Sequence, residues 1–386
     1  MSLVCGQDKC AGCMACLEIC PKNAITIEDR MLSYNAIIDE SKCIGCDACH
    51  RVCQENSIHE LRTPIAWHQG WARNAEIRLK SSSGGFATAI SKCFIENKGI
   101  VYSCGFENGE FKFSRIDSIS ELSQLYGSKY VKSNPYGVYS SITSDLKKGA
   151  KVLFIGLPCQ VSAVRNYVGK DIDKELYTAD LICHGTPSPK VLDIFLEQYG
   201  INRKEIDNIN FREKANAKQK GKKYIKSKGV RDKYTIAFLE GLTYTENCYE
   251  CKYARLERVS DITLGDSWGT NLGKSVCKDG VSLALCQTLK GEELIKKADV
   301  ELLEVDLNNA ILHNRQLEYP SKKPNSRETL FIALADGKKF DCEILKRLPK
   351  QCLKQNMKSI MAHMGLNLKR KNSTLDYGIV FERKCE

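Results

Sequence analysis

The chain opens with short, cysteine-punctuated stretches and only later settles into regular apolar elements. Residues 24–28 and 35–39 read as two short strand-like stretches. After Leu61 the character changes. Residues 86–98 carry a helical apolar face, 99–106 read as a strand, and 120–126 and 136–148 read as helices. An apolar strand at 151–155 leads to a helix at 160–168, and a strand at 176–183 leads to a helix at 189–199. Strand and helix alternate, which predicts an α/β core with parallel strands. Residues 280–288 have the pattern of a buried strand, followed by a helix at 291–298, and from about 307 the chain reads as polar helices with few breakers. Residues 212–233, rich in Lys, Arg and Gly, read as an exposed insertion or flexible hairpin. The expected organisation is a small cysteine-rich module at 1–61, an α/β body with regions at 62–150 and 151–320, and a helical C-terminal extension at 321–386, so the fold class mixes α+β with α/β.

Composition narrows this picture. With 386 residues, 42% hydrophobic and 27% charged, the chain suits two or three globular domains. No apolar run approaches the ~18 residues of a membrane span. The outlier is cysteine, at 20. Disulfide-dense domains are short and secreted, whereas Met1 leads into Val4, Cys5 and Gln7 without an apolar signal stretch, and nine cysteines fall before residue 54. The expectation is a reducing, cytoplasmic setting and metal ligation.

The decisive pattern is a repeat. Cys10-Ala-Gly-Cys13-Met-Ala-Cys16-Leu-Glu-Ile-Cys20-Pro21 recurs as Cys43-Ile-Gly-Cys46-Asp-Ala-Cys49-His-Arg-Val-Cys53-Gln54, and Asn23 and Ile25 recur as Asn56 and Ile58. In a run of this spacing three cysteines wrap one [4Fe-4S] cubane and the fourth reaches the neighbouring one. Cys10, Cys13, Cys16 and Cys53 therefore form one expected ligand set, and Cys43, Cys46, Cys49 and Cys20 the other. Zinc, which takes four ligands in CxxC pairs, suits this spacing poorly. Gly12 and Gly45 suit a tight loop, Gln54 stands where the first copy has Pro21, and Cys5 lies outside the register. The first 61 residues thus predict a bacterial-type ferredoxin domain. A cluster with four thiolates carries about −2, so two or three of them offset roughly half of the formal net charge of +11. The basic run 212–233 lacks interleaved aromatics apart from Tyr224, and nucleic acid is not an expected partner.

Further chemistry lies in the α/β body. Ser81-Ser-Ser-Gly-Gly85 precedes a helix, the setting in which free N–H groups receive phosphate, although a Ser/Gly linker reads the same way and GxGxxG is absent. Two strands end in cysteine, one running into Gly156-Leu157-Pro158-Cys159-Gln160 and the other into Cys183-His184-Gly185. Open α/β sheets bind ligands at the carboxyl ends of their strands. Cys248-Tyr-Glu-Cys251 is one pair and cannot complete a four-coordinate site; Cys159 and Cys183 are its natural partners. Zinc and [4Fe-4S] both remain open there, with a cluster favoured because electrons already enter from the N-terminus. Cys104 is the runner-up ligand, and Cys93 and Cys286 read as core residues.

Several of these stretches together resemble the coenzyme F-420 hydrogenase/dehydrogenase beta-subunit family: Ser83-Gly84-Gly85 with Thr88, Gly127-Ser-Lys-Tyr130, Gly156-Leu-Pro-Cys159-Gln160, Cys183-His-Gly185, Phe211-Arg212, Cys248-x-x-Cys251 and Ser260-Asp-Ile-Thr-Leu-Gly-Asp266. The resemblance covers roughly residues 62–320, and the ferredoxin extension matches stand-alone members of the kind found in bacterial polysaccharide clusters. It implies non-covalent FAD beside a [4Fe-4S] cluster, with Ser83, Gly84, Gly85, Thr88, Lys129, Tyr130, Gly156 and Pro158 at the flavin and Cys159, Cys183, Cys248 and Cys251 holding the cluster. Leu157 departs from the threonine common at this position, which removes a hydroxyl from the flavin's surroundings.

The expected function is an iron–sulfur flavoprotein oxidoreductase. It would pass electrons between a ferredoxin-like one-electron carrier or other redox protein and a two-electron organic substrate or deazaflavin-type coenzyme. His184 is the candidate proton donor, set against a plainer role as a hydrogen-bonding neighbour of the cluster. Lys129 is a candidate for binding a phosphate or flavin oxygen. The alternative is a non-catalytic electron-relay subunit of a larger redox complex.

Overall fold

The computed structural model describes residues 2–57, 59–214, 222–364 and 375–383. Ile58, the repeat's counterpart of Ile25, and residues 215–221 of the basic run lie outside the described residues.

The two cysteine runs fold alike because they repeat the same backbone steps. Gly12 and Gly45 both adopt φ 69°, and Met14 and Asp47 both adopt φ 62°. Each loop then enters a short helix, Ala15–Ile19 or Ala48–Val52. Strands β1 (Ser2–Leu3), β2 (Ile25–Asp29) and β3 (Tyr34–Ile38) form an antiparallel sheet in the order β1-β3-β2. The two short strands read from the sequence are β2 and β3.

The later strands are β4 (Ala66–Ala72), β5 (Ile100–Cys104), β6 (Phe113–Ile116), β7 (Val152–Gly156), β8 (Leu176–Leu181), β9 (Ile206–Lys214), β10 (Lys223–Tyr224), β11 (Ile262–Asp266), β12 (Ser282–Cys286), β13 (Val300–Leu303) and β14 (Leu375–Arg383). Eight of them make one sheet in the order β13-β4-β12-β11-β8-β7-β5-β6. Its centre, β11-β8-β7-β5, is parallel, and both flanks are antiparallel. The parallel strands are apolar on both faces, as a covered sheet requires. Ile100, Tyr102, Val152 and Phe154 face one core, shared with helices Val138–Lys147 and Pro158–Val168 and with the ferredoxin residues. Val101, Leu153 and Ile155 face the other, under helices Phe86–Glu96 and Leu289–Lys297. Residue 150, placed above as a division, is no break, because β5 and β7 pair across it. The segment 66–72, assigned to no element above, is a strand between β12 and β13.

A third layer pairs β10-β14-β9 with helices Pro189–Glu197, Lys233–Leu239, Arg327–Ala335 and Phe340–Arg347 around Phe195, Phe211, Tyr234 and Phe340. Two expectations change here. The extension is helical to His363, but residues 375–383 form β14, antiparallel to β9, with Ile379, Val380 and Phe381 buried. The start of the basic run is not exposed either. Arg212, Glu213 and Lys214 end β9 and are buried, because β14 and the neighbouring sheet cover them. Among the described residues no helix is long and apolar enough to cross a membrane.

The ferredoxin module is docked on the body by polar contacts from several elements. Glu18 accepts from the N–H groups of Gly137 (2.6 Å) and Ser140 (3.0 Å), capping a helix whose own N-cap glycine has no side chain. Asn166 donates to the Ser57 carbonyl at 2.7 Å, and Ser188 donates to Asp29 at 2.6 Å. Arg327, fully buried, donates to the carbonyls of Leu32 (2.5 Å) and Tyr244 (2.7 Å) and pairs with Glu246 at 2.8 Å. Replacing it with methionine keeps volume but strips these acceptors of their donor. Arg327→Met should lower stability by about 3–5 kcal/mol, read as a shifted midpoint in denaturant unfolding of the anaerobic full-length protein.

Candidate functional site

The eight repeat cysteines sort into two groups. In each loop a glycine N–H donates to the first cysteine's sulfur, Gly12 to Cys10 at 3.4 Å and Gly45 to Cys43 at 3.5 Å, and the Ala24 N–H donates to Cys20 at 3.3 Å. Such bonds favour the thiolate, the form that binds metal. Burial raises the Cys13 thiol, and so do Cys16, Cys53 and Cys10. Burial likewise raises Cys16, with Cys10, Cys53 and Cys49 adding to it. Cys49 is raised by burial and then, more weakly, by Cys20 and Cys43. Cys10, Cys13, Cys16 and Cys53 are thus neighbours, as are Cys49, Cys20 and Cys43, with Cys46 on the same loop as Cys43. The first group is buried, whereas Cys43 and Cys46 are exposed. Cys5, left out above, lies against the first group. Its thiol hydrogen-bonds with Cys10 and Cys53, which raises Cys5 and draws Cys53 down to about 7.

Cys159, Cys183, Cys248 and Cys251 all line one cavity. Local chemistry explains how residues so far apart in sequence converge. Pro158 starts the helix Pro158–Val168, and Gln160 accepts from the Leu157 N–H at 2.9 Å, which sets Cys159 in the helix's first turn. A thiolate is favoured at that positive end. The Thr245 N–H donates to the Thr186 carbonyl at 3.0 Å, laying the 183–187 loop beside the 245–251 turn. Gly185 permits this approach, since a Cβ there would lie 2.4 Å from the Tyr244 ring. Burial raises the Cys183 thiol, followed by Cys248, Cys159 and Cys251. Burial also raises Cys159, whose neighbours include Cys251, Cys248 and Cys13. Cys13 and Cys16 connect the three groups, facing Cys159 and Cys49 respectively. Among the described residues no three His, Cys, Asp or Glu side chains close on one point as ligands of a single ion would; a cubane offers each thiolate its own iron. Cys104, the runner-up ligand, lies apart from this cavity, and Cys286 is buried in the sheet core.

A second, larger cavity of about 270 Å³ opens at the carboxyl ends of β5, β7, β8 and β11. Ser103 and Cys104, Ile155 and Gly156, Leu181, and Leu264 to Asp266 line it. His184 lines both cavities. Burial holds its imidazole below the usual range, Asp266 opposes that effect, and Arg212 adds to it.

Of the residues expected at a flavin, Ser83, Gly85, Thr88, Lys129 and Gly156 line this larger cavity. Gly84 sits behind it. A Cβ there would lie 2.4 Å from the Gly70 carbonyl and 2.6 Å from the Ser282 N–H, so its role is close packing of the serine loop on the sheet. Pro158 lines the cysteine cavity instead. Tyr130 lies on neither wall; its ring stacks on Phe238 at 4.3 Å, inside the aromatic core. Lys129 is turned inward, its Nζ donating to the carbonyls of Leu125 (3.2 Å), Tyr126 (2.7 Å) and Gly127 (3.0 Å). All three ammonium hydrogens are engaged, so Lys129 shapes the 125–129 turn rather than offering a free donor. Arg212, Asp266 and Trp268 were not among the expected site residues, although Phe211-Arg212 and the run ending in Asp266 carried the family signal. Arg212 pairs with Asp266 through two bonds of 2.6 and 2.8 Å and lies beside the Trp268 ring; among the described residues its buried Nε has no partner.

Residues 149–309 match the family model for the C terminus of the coenzyme F420 hydrogenase/dehydrogenase beta subunit, and residues 9–57 match a 4Fe-4S dicluster domain. Both matches fit the resemblance to the coenzyme F420 hydrogenase/dehydrogenase beta-subunit family, whose C-terminal model covers residues 149–309. The chain is accordingly an iron–sulfur redox protein with a dicluster domain at residues 9–57. No curated protein matches it. Among solved structures it is similar to a chain from the xenon-derivatised F420-reducing [NiFe] hydrogenase complex of Methanosarcina barkeri. That chain is 19% identical, with 73% of this chain and 98% of that one covered and a TM-score of 0.47.

The close packing at Gly84 yields a test. Gly84→Ala should cost about 1–3 kcal/mol of stability, measured by thermal unfolding. Gly45→Ala, at φ 69°, should cost about 1–2 kcal/mol through backbone strain, read in the same measurement.

Proposed function

We propose that this protein is an iron–sulfur flavoprotein oxidoreductase that exchanges electrons between a ferredoxin-like one-electron carrier and a two-electron organic substrate or deazaflavin-type coenzyme. One observation carries the reading: three four-cysteine groups follow one another from the exposed Cys43 loop to a buried cavity, which His184 separates from a large cavity at the strand ends. The outer group would be Cys20, Cys43, Cys46 and Cys49; the middle group Cys10, Cys13, Cys16 and Cys53; the inner group Cys159, Cys183, Cys248 and Cys251. Each would hold one [4Fe-4S] cluster. The exposed Cys43 and Cys46 edge is where a carrier protein would exchange electrons.

FAD suits the large cavity. Its wall combines a serine loop at the N-terminus of an eleven-residue helix with an arginine whose Nε lacks a partner among the described residues, at the strand ends where open α/β sheets take ligands. Bound there, FAD would exchange electrons singly with a cluster and in pairs with a substrate. The chain's own residues have distinct parts. Ser82 and Ser83 line the cavity, the Ser82 oxygen accepting from the Ser128 N–H at 2.8 Å and the Ser83 hydroxyl donating to the Val281 carbonyl at 3.0 Å, and Asp266 holds the Arg212 guanidinium in place. Apolar Leu157, Ile155 and Leu264 keep water from the inner wall. His184, neutral because burial lowers its basicity, would pass a proton between the two cavities. A relay subunit needs only the clusters, so the extra cavity favours an enzyme with its own substrate site.

Anaerobically purified protein should contain about twelve irons and about one FAD per chain, and Cys248→Ser with Cys251→Ser should reduce this to about eight irons. About eight irons with one zinc in the unaltered protein would remove the inner cluster from the scheme. Arg212→Met should lower FAD content while leaving iron unchanged; retained flavin would dismiss Arg212 as a flavin contact.

A further inference from the structure

We infer that Lys132 is the fixed positive charge that raises the reduction potentials of the middle and inner clusters, keeping the electron step between them open; this rests on the cluster reading above. The segment 129–133 alternates, with Lys129, Val131 and Ser133 lining the large cavity and Lys132 turned the other way. There it meets both cysteine groups. Its Nζ donates to the carbonyl of Ala11, between Cys10 and Cys13, at 2.9 Å. Its stem packs on the same loop, because a Cβ on Gly12 would lie 2.9 Å from its Cδ. On the other side Lys132 lines the cavity that Cys159, Cys183, Cys248 and Cys251 share. The ammonium lies 5.2 Å from the centre of the Tyr34 ring.

Lys132 is 5% exposed. A buried ammonium is costly without a countercharge. Among the described residues its bonded partners are a carbonyl and a ring face, not a carboxylate. The thiolates on either side are the negative charges it faces. The electron step between the groups is balanced simply. One cluster loses an electron and the other gains it, no bond forms or breaks, and no proton moves. Reduction adds a unit of negative charge, so a nearby cation favours the reduced state of whichever cluster holds the electron. Placed between the two, Lys132 serves both states of the transfer. It acts through the clusters as a positioning charge and is not a catalytic residue.

The test is a redox titration of the anaerobic full-length protein, followed by paramagnetic resonance of each cluster. Iron is counted first. Fewer than about twelve irons in the unaltered chain would defeat the cluster reading itself, whatever the potentials. With iron in place, Lys132→Met should change the oxidised-to-reduced ratio of the middle and inner clusters about tenfold at a given potential, a fall of about 59 mV for a one-electron couple. The outer cluster should stay unchanged as an internal reference, and Lys132→Arg should stay near the unaltered values. Lys132→Gln keeps a donor for the Ala11 carbonyl without the charge, so it provides the same reading if the methionine variant does not assemble. Unchanged potentials in a neutral variant that holds its iron would overturn the inference. Loss of iron in both neutral variants would also overturn it, leaving Lys132 a structural post.

Discussion

The arrangement depends on how a small cysteine-rich module is held against the end of a parallel sheet. The loop that carries Cys10, Cys13 and Cys16 has little side-chain bulk of its own, and the body grips it by its backbone. Tyr139 donates to the Cys13 carbonyl at 2.5 Å and Lys132 to the Ala11 carbonyl at 2.9 Å, while Tyr253 holds the end of the second run through the Gln54 carbonyl at 3.1 Å. Each donor sits beside a different part of the inner cysteine cavity or the helix that flanks it. Grip and spacing are therefore one constraint. Whatever fixes the module on the sheet also fixes the separation between the middle and inner cysteine groups. Main-chain carbonyls suit this task, because they cannot swing away as side chains do, and buried carbonyls require a donor in any case.

The same constraint explains which parts of the fold could be read from sequence. The ferredoxin repeat was legible because its information is local: spacing within twelve residues determines loop, helix and sulfur placement, and the two copies adopt matching dihedrals. The inner group was legible for a different reason. Cys159 and Cys183 follow strands that end at the same edge of a parallel sheet, so strand ends converge even when the residues between them are unknown. Cys248 and Cys251 reach that edge through a turn pinned to Thr186, a link that no periodicity reveals.

What was not legible depended on tertiary pairing. Residues 66–72 (Ala-Trp-His-Gln-Gly-Trp-Ala) carry no clean alternation, and become a strand because β12 and β13 supply partners on both sides. Residues 375–383 follow a long polar helical stretch, and only pairing with β9 makes them a strand. Lys129 sits in a motif that suggests ligand contact, yet its ammonium is taken up by three carbonyls of its own turn. Tyr130, next to it, points away from the cavity because Phe238 completes a better apolar surface. Neighbouring motif residues thus divide between shaping a wall and forming it, a distinction decided by which face of an irregular segment each one occupies.

Charge is the clearest case of composition misleading and structure correcting. The formal +11 suggests a basic surface, but several of the cations lie inside. Arg212, Lys214, Arg258 and Arg327 are buried along with Lys132. Lys214 reaches the carbonyls of Arg78 and Ser83, behind the serine loop. Arg212 stands on the wall of the same cavity with only one carboxylate to pair with it. A folded chain tolerates interior cations where negative charge compensates them or where burial lowers their basicity, as it does for Lys214, held down to about 7. The carboxylates Asp266 and Glu246 answer for Arg212 and Arg327. Around Lys132 the candidates are thiolates, and behind the serine loop the matching charge would come from an anionic group in the large cavity. In the proposed reading these interior cations would face clusters and an anionic cofactor rather than solvent, along the proposed path of electrons from the module to the strand ends.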